Sequence, residues 1–271
     1  MDENLIYLDH AATTFPRQPR VMERMLARFQ KMGCSPGRGG YDLAVEAEIF
    51  VQGVRRRLAS FFGAAEPERV VFTANASEAL NLAILGLTSP GGHVVSTRLE
   101  HNSVLRPLYH LERHQGVALT LVGFDAQGFV DPDRIAGAIR GNTQLVVVNH
   151  ASNVLGTVQP VAEIGRVCAE RSVPLLIDTA QSAGSVPIDM GAWNVSAIAF
   201  TGHKALLGPT GIGGLITAPG LDIAPSRFGG TGYDSSNPVQ PETYPQRLEV
   251  GTLNILGIAG LNAGLDYLEE I

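Results

Sequence analysis

The feature that most constrains the fold is a regular alternation of short apolar runs with longer segments of helical periodicity. The apolar runs predict buried strands at residues 69–73, 93–97, 117–122, 145–149, 173–178, 195–200 and 213–217. The helical patterns lie at residues 17–32, 43–62, 132–140 and 161–171, with further helix starts near residues 74 and 254. Because strands that alternate with helices form sheets covered by those helices, we predict an α/β fold with a mostly parallel sheet sandwiched by helices.

Composition narrows the class of protein. The 271 residues are 45% hydrophobic and 17% charged, as in ordinary globular proteins, and can form one large domain or a large domain plus a small one. The net charge of −6 argues against nucleic acid or an anionic membrane as a partner. The two cysteines, Cys34 and Cys168, are too few for a disulfide framework or a metal cluster. Since no signal-like or membrane-length apolar run is present, we expect a cytoplasmic protein.

The stretch at residues 199–214, AFTGHKALLGPTGIGG, places Lys204 on the connection that leaves a predicted strand. Residues 208–214 are too rich in glycine for a helix, so we expect a tight turn beside the sheet edge. No carboxylate lies within three residues of Lys204. Burial there would lower the pKa of the amine, as Schiff-base chemistry requires. On this segment alone, an ordinary surface lysine fits equally well.

A second polar group follows the preceding strand. The run at residues 173–178 ends in Asp178, and Gln181 comes three residues later. Ligands of open α/β sheets bind beyond the carboxyl ends of the strands, where both Asp178 and Lys204 are expected. A carboxylate for a pyridinium nitrogen and a lysine for an aldehyde carbon are the two fixed points of a pyridoxal 5′-phosphate (PLP) site.

The motifs D-T-A-Q-S at residues 178–182 and T-G-H-K-A-L-L-G-P-T-G-I-G at residues 201–213 resemble the class V aminotransferases, and within them the cysteine desulfurases. Matched motifs run from Tyr7 to Asn254. The resemblance implies the large domain of fold-type I PLP-dependent transferases. It also implies three parts: an N-terminal segment at the active-site mouth (1–20), a PLP-binding large domain (21–253), and the start of a helix leading to a missing C-terminal domain (254–271).

The resemblance also implies roles around the PLP ring. Lys204 would hold the cofactor covalently and act as the base that moves the Cα proton. Asp178 would stabilise the protonated pyridine nitrogen, and Gln181 would donate a hydrogen bond to the ring hydroxyl. His101, in an E-H pair, would stack on the ring and serve as a second catalytic residue close to the substrate. Asn153, in the loop S-N-V-L-G, would touch the pyridoxal hydroxyl and the substrate.

The same resemblance implies a phosphate site. Ala76 and Ser77 occupy two positions of the family's phosphate loop, at a predicted helix start that could equally be only a helix start. Thr201 and His203 flank the lysine motif and would bind the same phosphate. Thr252, in the motif E-V-G-T, would reach across a dimer interface to the phosphate of the partner subunit. A homodimer is therefore expected.

The implied reaction, in sulfur metabolism, converts L-cysteine to L-alanine while a protein cysteine takes up the sulfur. The resemblance places the family's nucleophilic cysteine and its substrate-binding arginine in a C-terminal small domain, which we expect this chain to lack. Cys34 on a loop and Cys168 on a helix do not align with that nucleophile, so we expect PLP binding with poor turnover of cysteine. A sulfur-acceptor protein is a further candidate partner.

Two alternatives remain at this stage. One is an enzyme of the same fold with another outcome, such as a selenocysteine lyase, a racemase or epimerase, or an aminotransferase. The other is a catalytically silent PLP-binding fragment or scaffold.

Overall fold

A mixed sheet lies at the centre of the molecule in the computed structural model, which describes residues 6–37, 39–233 and 236–271. Its strands are β1 (Val70–Thr73), β2 (His93–Thr97), β3 (Ala118–Val122), β4 (Thr143–Asn149), β5 (Leu175–Asp178), β6 (Ala197–Thr201) and β7 (Gly213–Thr217). Within these ranges the sheet has the order β1-β7-β6-β5-β4-β2-β3. Only the pairs that include β7 are antiparallel. The predicted strands and the mostly parallel sheet are confirmed.

Seven helices are found in the described part of the chain, besides a 3₁₀ turn at Pro67–Arg69. They are α1 (Pro19–Met32), α2 (Asp42–Phe61), α3 (Ala76–Leu87), α4 (Asn102–Gln115), α5 (Pro132–Ala138), α6 (Val161–Glu170) and α7 (Ile255–Glu270). The sequence did not predict α4, whose interior contains Pro107. The helix tolerates this proline in its second turn and stops at Gly116, which adopts the left-handed conformation with φ of 63°. None of the described helices is long and apolar enough to cross a membrane.

Helices cover both faces of the sheet. On β4, Val146 and Val148 contribute to one apolar cluster, which includes residues of α2, α6 and α7. Their neighbours Leu145 and Val147 point into the opposite cluster, with residues of α3 and α4. Because successive strand side chains point to opposite faces, burial on both faces requires nearly continuous apolar runs. For this reason the strands could be predicted from the sequence.

The carboxyl ends of the parallel strands β2, β4, β5 and β6 meet at one edge of the sheet. Asn149 pairs with Asp178, and Asp178 pairs with Ala199 on the next strand. The antiparallel strand β7 starts at the same edge, where Gly213 pairs with Thr201. A Cβ atom on Gly213 would lie 2.6 Å from the carbonyl oxygen of Phe200, so only glycine fits there. The loops that follow these strands are thereby brought together.

The last helix, α7, packs against α1 and against the turn after β6. Gly264 permits this contact, because a Cβ there would lie 2.0 Å from the carbonyl oxygen of Leu206. Asp266 of α7 accepts hydrogen bonds from Arg28 and Arg57, which tie it to α1 and α2. The division at residues 20 and 253 stays a prediction, and residues 1–5 of the N-terminal part lie outside the described residues.

Candidate active site

A cavity of about 470 Å³ opens at the sheet edge where the parallel strands end. All the predicted site residues except Thr252 line it: Ala76, Ser77, His101, Asn153, Asp178, Gln181, Thr201, His203 and Lys204. The sheet register accounts for this convergence, since four neighbouring strands deliver their following loops to one place. The positions of these residues are thereby established, while their roles stay predictions.

Asp178 ends β5 at the base of the cavity and is buried. Its Oδ1 accepts a hydrogen bond of 2.9 Å from the backbone N–H of Ala180. Burial raises the pKa of this carboxyl, while that hydrogen bond and the charges of Lys204 and His101 lower it. A buried carboxylate whose charge is only partly stabilised is suited to pair with a protonated ring nitrogen.

Lys204 lies on the tight turn after β6, which is confirmed by hydrogen bonds from Leu207 N to Lys204 O (2.8 Å) and from Gly208 N to Gly202 O (2.8 Å). The lysine is half-buried and lines the cavity. Burial lowers the pKa of its amine, and the charge of Asp178 opposes this change. The direction of this change agrees with the prediction, and the opposing charge of Asp178 limits its size.

The lysine turn is held by the N-terminal segment, a contact that the sequence did not predict. Arg17 Nη1 donates hydrogen bonds of 2.9 Å to the carbonyl oxygens of both His203 and Gly208. Arg17 Nη2 donates to Thr13 Oγ1 (2.9 Å), and that oxygen lies 2.9 Å from His203 Nδ1. Thr14 N also donates to His203 O (3.2 Å). Arg17 therefore acts as a clamp across both ends of the turn.

Hydroxyl groups gather at the opposite end of the cavity, near the start of α3. Ser77 Oγ lies 2.6 Å from Ser103 Oγ, which lies 2.9 Å from His101 Nδ1. His101 caps α4, since its Nδ1 accepts the backbone N–H of Ser103 (3.1 Å). Asn75 caps α3 through Glu78 N (3.0 Å), as expected for a helix start. The N-terminus of α3 with adjacent hydroxyls is suited to an anion such as phosphate.

Two buried polar atoms at the cavity have no hydrogen-bond partner among the described residues. They are Thr201 Oγ1 and Asn149 Oδ1, on side chains that are 3% and 4% exposed. Buried polar atoms without partners are costly, so a bound ligand is the simplest explanation for the hydroxyl of Thr201. Thr201 was a predicted phosphate ligand, whereas the sequence pattern did not single out Asn149. A buried carboxylate, an amine and an anion site in one cavity fit PLP.

The comparisons with known proteins agree with this geometry. Residues 6–271 match the family model described as Aminotransferase class-V. The chain belongs to this family. A probable cysteine desulfurase of Methanothermobacter thermautotrophicus is 40% identical over 271 residues, which cover 98% of this chain and 67% of the relative. Cysteine desulfurase IscS of Rickettsia felis is 36% identical, with 91% of this chain and 60% of the relative covered.

Solved structures give the same result. The apo cysteine desulfurase from Thermococcus onnurineus NA1 is 34% identical, with a TM-score of 0.90 over 98% of this chain and 68% of that protein. The structure of SspA in complex with cysteine is 31% identical, with a TM-score of 0.84 over 97% of this chain and 73% of that one. Class V aminotransferases and cysteine desulfurases use PLP, and the predicted fold-type I architecture is confirmed. The chain spans 60–73% of the length of these relatives.

Thr252 does not line the cavity that contains the other predicted site residues. It is exposed and lines a separate small cavity with Tyr233, Gln246 and Glu249. Its predicted role at the phosphate of a partner subunit stays a prediction, since it concerns a second copy of the chain. Glu249 of the same motif is buried and forms a bidentate ion pair with Arg55, with two distances of 2.8 Å.

Three other predicted features have clear positions. Gln181 Nε2 donates to the carbonyl oxygen of Ala11 (3.0 Å), so it ties the N-terminal segment to the cavity wall. Cys34 Sγ donates to Leu43 O (3.0 Å), and Cys168 is buried on α6, where burial raises its pKa to about 12. Neither cysteine lines the cavity. Within the described ranges, no three His, Cys, Asp or Glu side chains come together as metal ligands.

Proposed function

We propose that this chain binds PLP in the cavity between Lys204 and Asp178 and acts on L-cysteine as the cofactor-binding part of a cysteine desulfurase. The observation that carries the proposal is the convergence of a half-buried amine, a buried carboxylate and the unpartnered hydroxyl of Thr201 in one cavity. The 40% identity to a probable cysteine desulfurase supports the choice of reaction.

Two ionisable side chains, Lys204 and Asp178, would bind the cofactor and set its reactivity. Lys204 would bind the aldehyde carbon of the cofactor. Its lowered pKa supports this role, because it increases the fraction of neutral, nucleophilic amine. Asp178 would hold a proton on the pyridine nitrogen by supplying the opposite charge. PLP, when bound, supplies an electron sink for the electron pair left at Cα of the amino acid. Lys204 would take the proton from Cα of the amino acid.

Ser77, Thr201 and the N-terminus of α3 would bind the phosphate. Thr201 Oγ1 is buried and lacks a partner, and the first turn of α3 presents N–H groups that helices leave unpaired. Ser103 belongs to the same group through its contacts with Ser77 and His101. We infer that Ser103 orients the imidazole of His101 over the ring.

The substrate would enter from a wider cavity of about 1000 Å³ that adjoins the first one. The residues shared by the two cavities are Ala11, Ala151, Asn153, Gln181 and Lys204. A substrate on this side meets Lys204 directly, and Asn153 is exposed in the loop between the two cavities. L-Cysteine is the proposed substrate because SspA, a structural relative, is described in complex with cysteine.

The sulfur-transfer step needs a thiolate that these residues do not place at the cavity. Cys34 and Cys168 are the two cysteines of the sequence, and both lie away from the cavity lining. We therefore propose that the chain by itself binds PLP and L-cysteine but releases little sulfide. The same observation keeps a catalytically silent PLP-binding protein as the second candidate function.

We also propose a homodimer, in which Thr252 completes the phosphate site of the partner subunit. Exposed apolar side chains at the start of α2 support this proposal: Leu43, Val45 and Ile49 are 51%, 51% and 61% exposed. Apolar surface of this kind commonly marks an interface. A sulfur-acceptor protein as a further partner, and a cytoplasmic location, are proposals that rest on the family resemblance and on the composition.

The cofactor proposal is tested by reconstitution with PLP followed by borohydride reduction and peptide mapping. We expect a yellow protein in which reduction fixes the cofactor covalently to Lys204. The Lys204→Ala variant should show no such attachment, while the exposed-site variant Lys31→Ala behaves like the parent. A colourless protein, or label on another lysine, would contradict the proposal.

The reaction proposal is tested by adding L-cysteine to the PLP-loaded protein with a reductant. We expect a change in the cofactor absorbance without sulfide or alanine production at the rates of complete desulfurases. Robust sulfide production that disappears in the Cys34→Ala variant would overturn this view and identify Cys34 as the nucleophile.

A further inference from the structure

Glu100 is a buried glutamate next to the cavity-lining His101, and it has no part in the proposed mechanism. Its side chain is 7% exposed, and it immediately precedes His101, which caps α4 and lines the cavity. A buried glutamate requires an explanation, because an ionised carboxylate away from water is strongly destabilising unless it is paired with a cation.

The hydrogen bonds of Glu100 connect the ends of two neighbouring strands. Its Oε1 accepts from Thr97 Oγ1 (2.6 Å) at the end of β2 and from the backbone N–H of Asn149 (3.0 Å) at the end of β4. The connection is reciprocal, because Asn149 Nδ2 donates to the carbonyl oxygen of Leu99 (3.1 Å). Glu100 and Asn149 therefore fix the turn that presents His101.

The two oxygens of Glu100 have different surroundings. Oε1 accepts both hydrogen bonds, while Oε2 is buried and has no partner among the described residues. This asymmetry fits a protonated acid, in which Oε1 is the carbonyl oxygen and Oε2 carries the proton. Asn149 Oδ1, in the same group of side chains, is a buried acceptor that lacks a donor.

The charges around Glu100 favour the same protonation state. The titratable groups beside it are Asp178 on β5, whose strand pairs directly with that of Asn149, and the neighbouring His101. The pKa of Glu100 is raised to about 8, because burial and the charge of Asp178 raise it more than the hydrogen bonds from Thr97 and Asn149 lower it. A second negative charge here would disfavour the ionised form of Asp178, because like charges raise each other's carboxyl pKa.

We propose that Glu100 is a positioning residue that keeps its carboxyl proton in the folded protein and, as a neutral clamp between β2 and β4, holds His101 and Asn149 at the cavity. In this role Asp178 remains the carboxylate whose charge faces the ring nitrogen. The clamp concerns this chain's own residues, while its effect on the cofactor rests on the proposed PLP site.

Infrared spectroscopy tests the protonation state without the cofactor. The difference spectrum of the parent protein minus Glu100→Gln at neutral pH should contain the C=O stretch of a protonated carboxylic acid. The control Glu112→Gln, at an exposed glutamate of α4, should contain carboxylate bands instead. Carboxylate bands for Glu100 at neutral pH would overturn the proposal.

The pH dependence of unfolding gives a second measurement. Because the pKa of Glu100 rises from its ordinary 4.5 to about 8 on folding, the folded state holds the proton more tightly than the unfolded state. The stability from this group is complete below about 4.5 and is lost as pH rises towards 8. The melting temperature of the parent should therefore fall relative to that of Glu100→Gln over this interval. An unchanged difference would contradict the proposal.

Cofactor retention separates the clamp from the proposed function. Glu100→Gln preserves the hydrogen bonds to Thr97 and Asn149 and should retain PLP within about twofold, while Glu100→Ala should weaken retention about tenfold, as expected for one or two lost hydrogen bonds. Equal retention in both variants would overturn the positioning role. If the parent itself fails to bind PLP, the proposed function fails, while the infrared result still decides whether Glu100 is a neutral clamp.

Discussion

The turn that carries Lys204 and the loop that carries Thr252 both belong to recognisable motifs, yet they are built differently. The lysine turn is held by Arg17 and Thr13 and points into a cavity formed within one chain. The Thr252 loop is anchored below by the buried pair of Arg55 and Glu249, while Thr252 itself is exposed away from that cavity. An exposed residue on a firmly anchored loop can contact another molecule, such as a partner subunit.

The two anchors also differ in chemistry. Arg17 donates to neutral carbonyl oxygens at the edge of the cavity, whereas Arg55 and Glu249 form a charged pair in the protein interior. Breaking a buried pair leaves an uncompensated charge, while removing a donor from a carbonyl costs a hydrogen bond. The loop should therefore be more sensitive to substitution of its anchor than the turn.

The largest expected effect on stability comes from Glu249→Ala. This change leaves the Arg55 guanidinium buried without its partner and removes the acceptor for Phe72 N (2.6 Å). We expect a loss of about 3–5 kcal/mol in the free energy of unfolding, measured by urea denaturation. Glu269→Ala, which breaks an exposed ion pair with Arg57, should cost at most about 1 kcal/mol. Similar losses in the two variants would contradict the difference in anchoring.

Asp178→Asn should change cofactor binding and apo stability in opposite directions. Loss of a charge-assisted contact of about 1.5–3 kcal/mol should weaken PLP binding roughly tenfold or more, measured by equilibrium titration. Because burial raises the pKa of Asp178 on folding, its stability contribution is lost as pH rises through the folded-state pKa. The apo variant should therefore be at least as stable as the parent at neutral pH. Unchanged PLP affinity would contradict the assigned role.

Arg17→Met should loosen the lysine turn without unfolding the domain. Two carbonyl oxygens lose their donor, which we expect to cost about 1–3 kcal/mol locally. Hydrogen exchange of residues 202–208 should become faster, and retention of PLP should weaken. Arg20→Met, at an exposed position on α1, serves as the matched control. Unaltered exchange in this turn would show that Thr13 and Thr14 suffice to hold it.

The smallest effect within one chain is expected for Thr252→Ala. Because Thr252 is exposed, the free energy of unfolding should change by no more than about 0.5 kcal/mol. PLP retention should nevertheless weaken at protein concentrations where the parent is dimeric, as measured by sedimentation together with cofactor absorbance. A monomer that holds PLP with unchanged affinity would disprove the role across the dimer interface.

The strands and the two principal residues of the site were predictable because their signals are local. A strand buried on both faces needs a continuous apolar run, and the polar residue that ends such a run lies at the sheet edge. Asp178 and Lys204 follow this rule, and the resemblance to class V aminotransferases named seven further residues that line the cavity. Helix α4 was not predicted, since its polar surface and Pro107 obscure the apolar positions at Val104, Leu108 and Leu111.

The fold class, the cofactor chemistry and the sheet edge that carries the site could be predicted from short-range patterns and family motifs. Three features became visible only in the folded chain: Arg17 clamps the lysine turn, Glu100 joins β2 to β4, and Thr252 does not line the cavity. Arg17 and His203 are separated by 186 positions, and Glu100 and Asn149 by 49. Contacts across such distances depend on strand order and register, which no local pattern specifies.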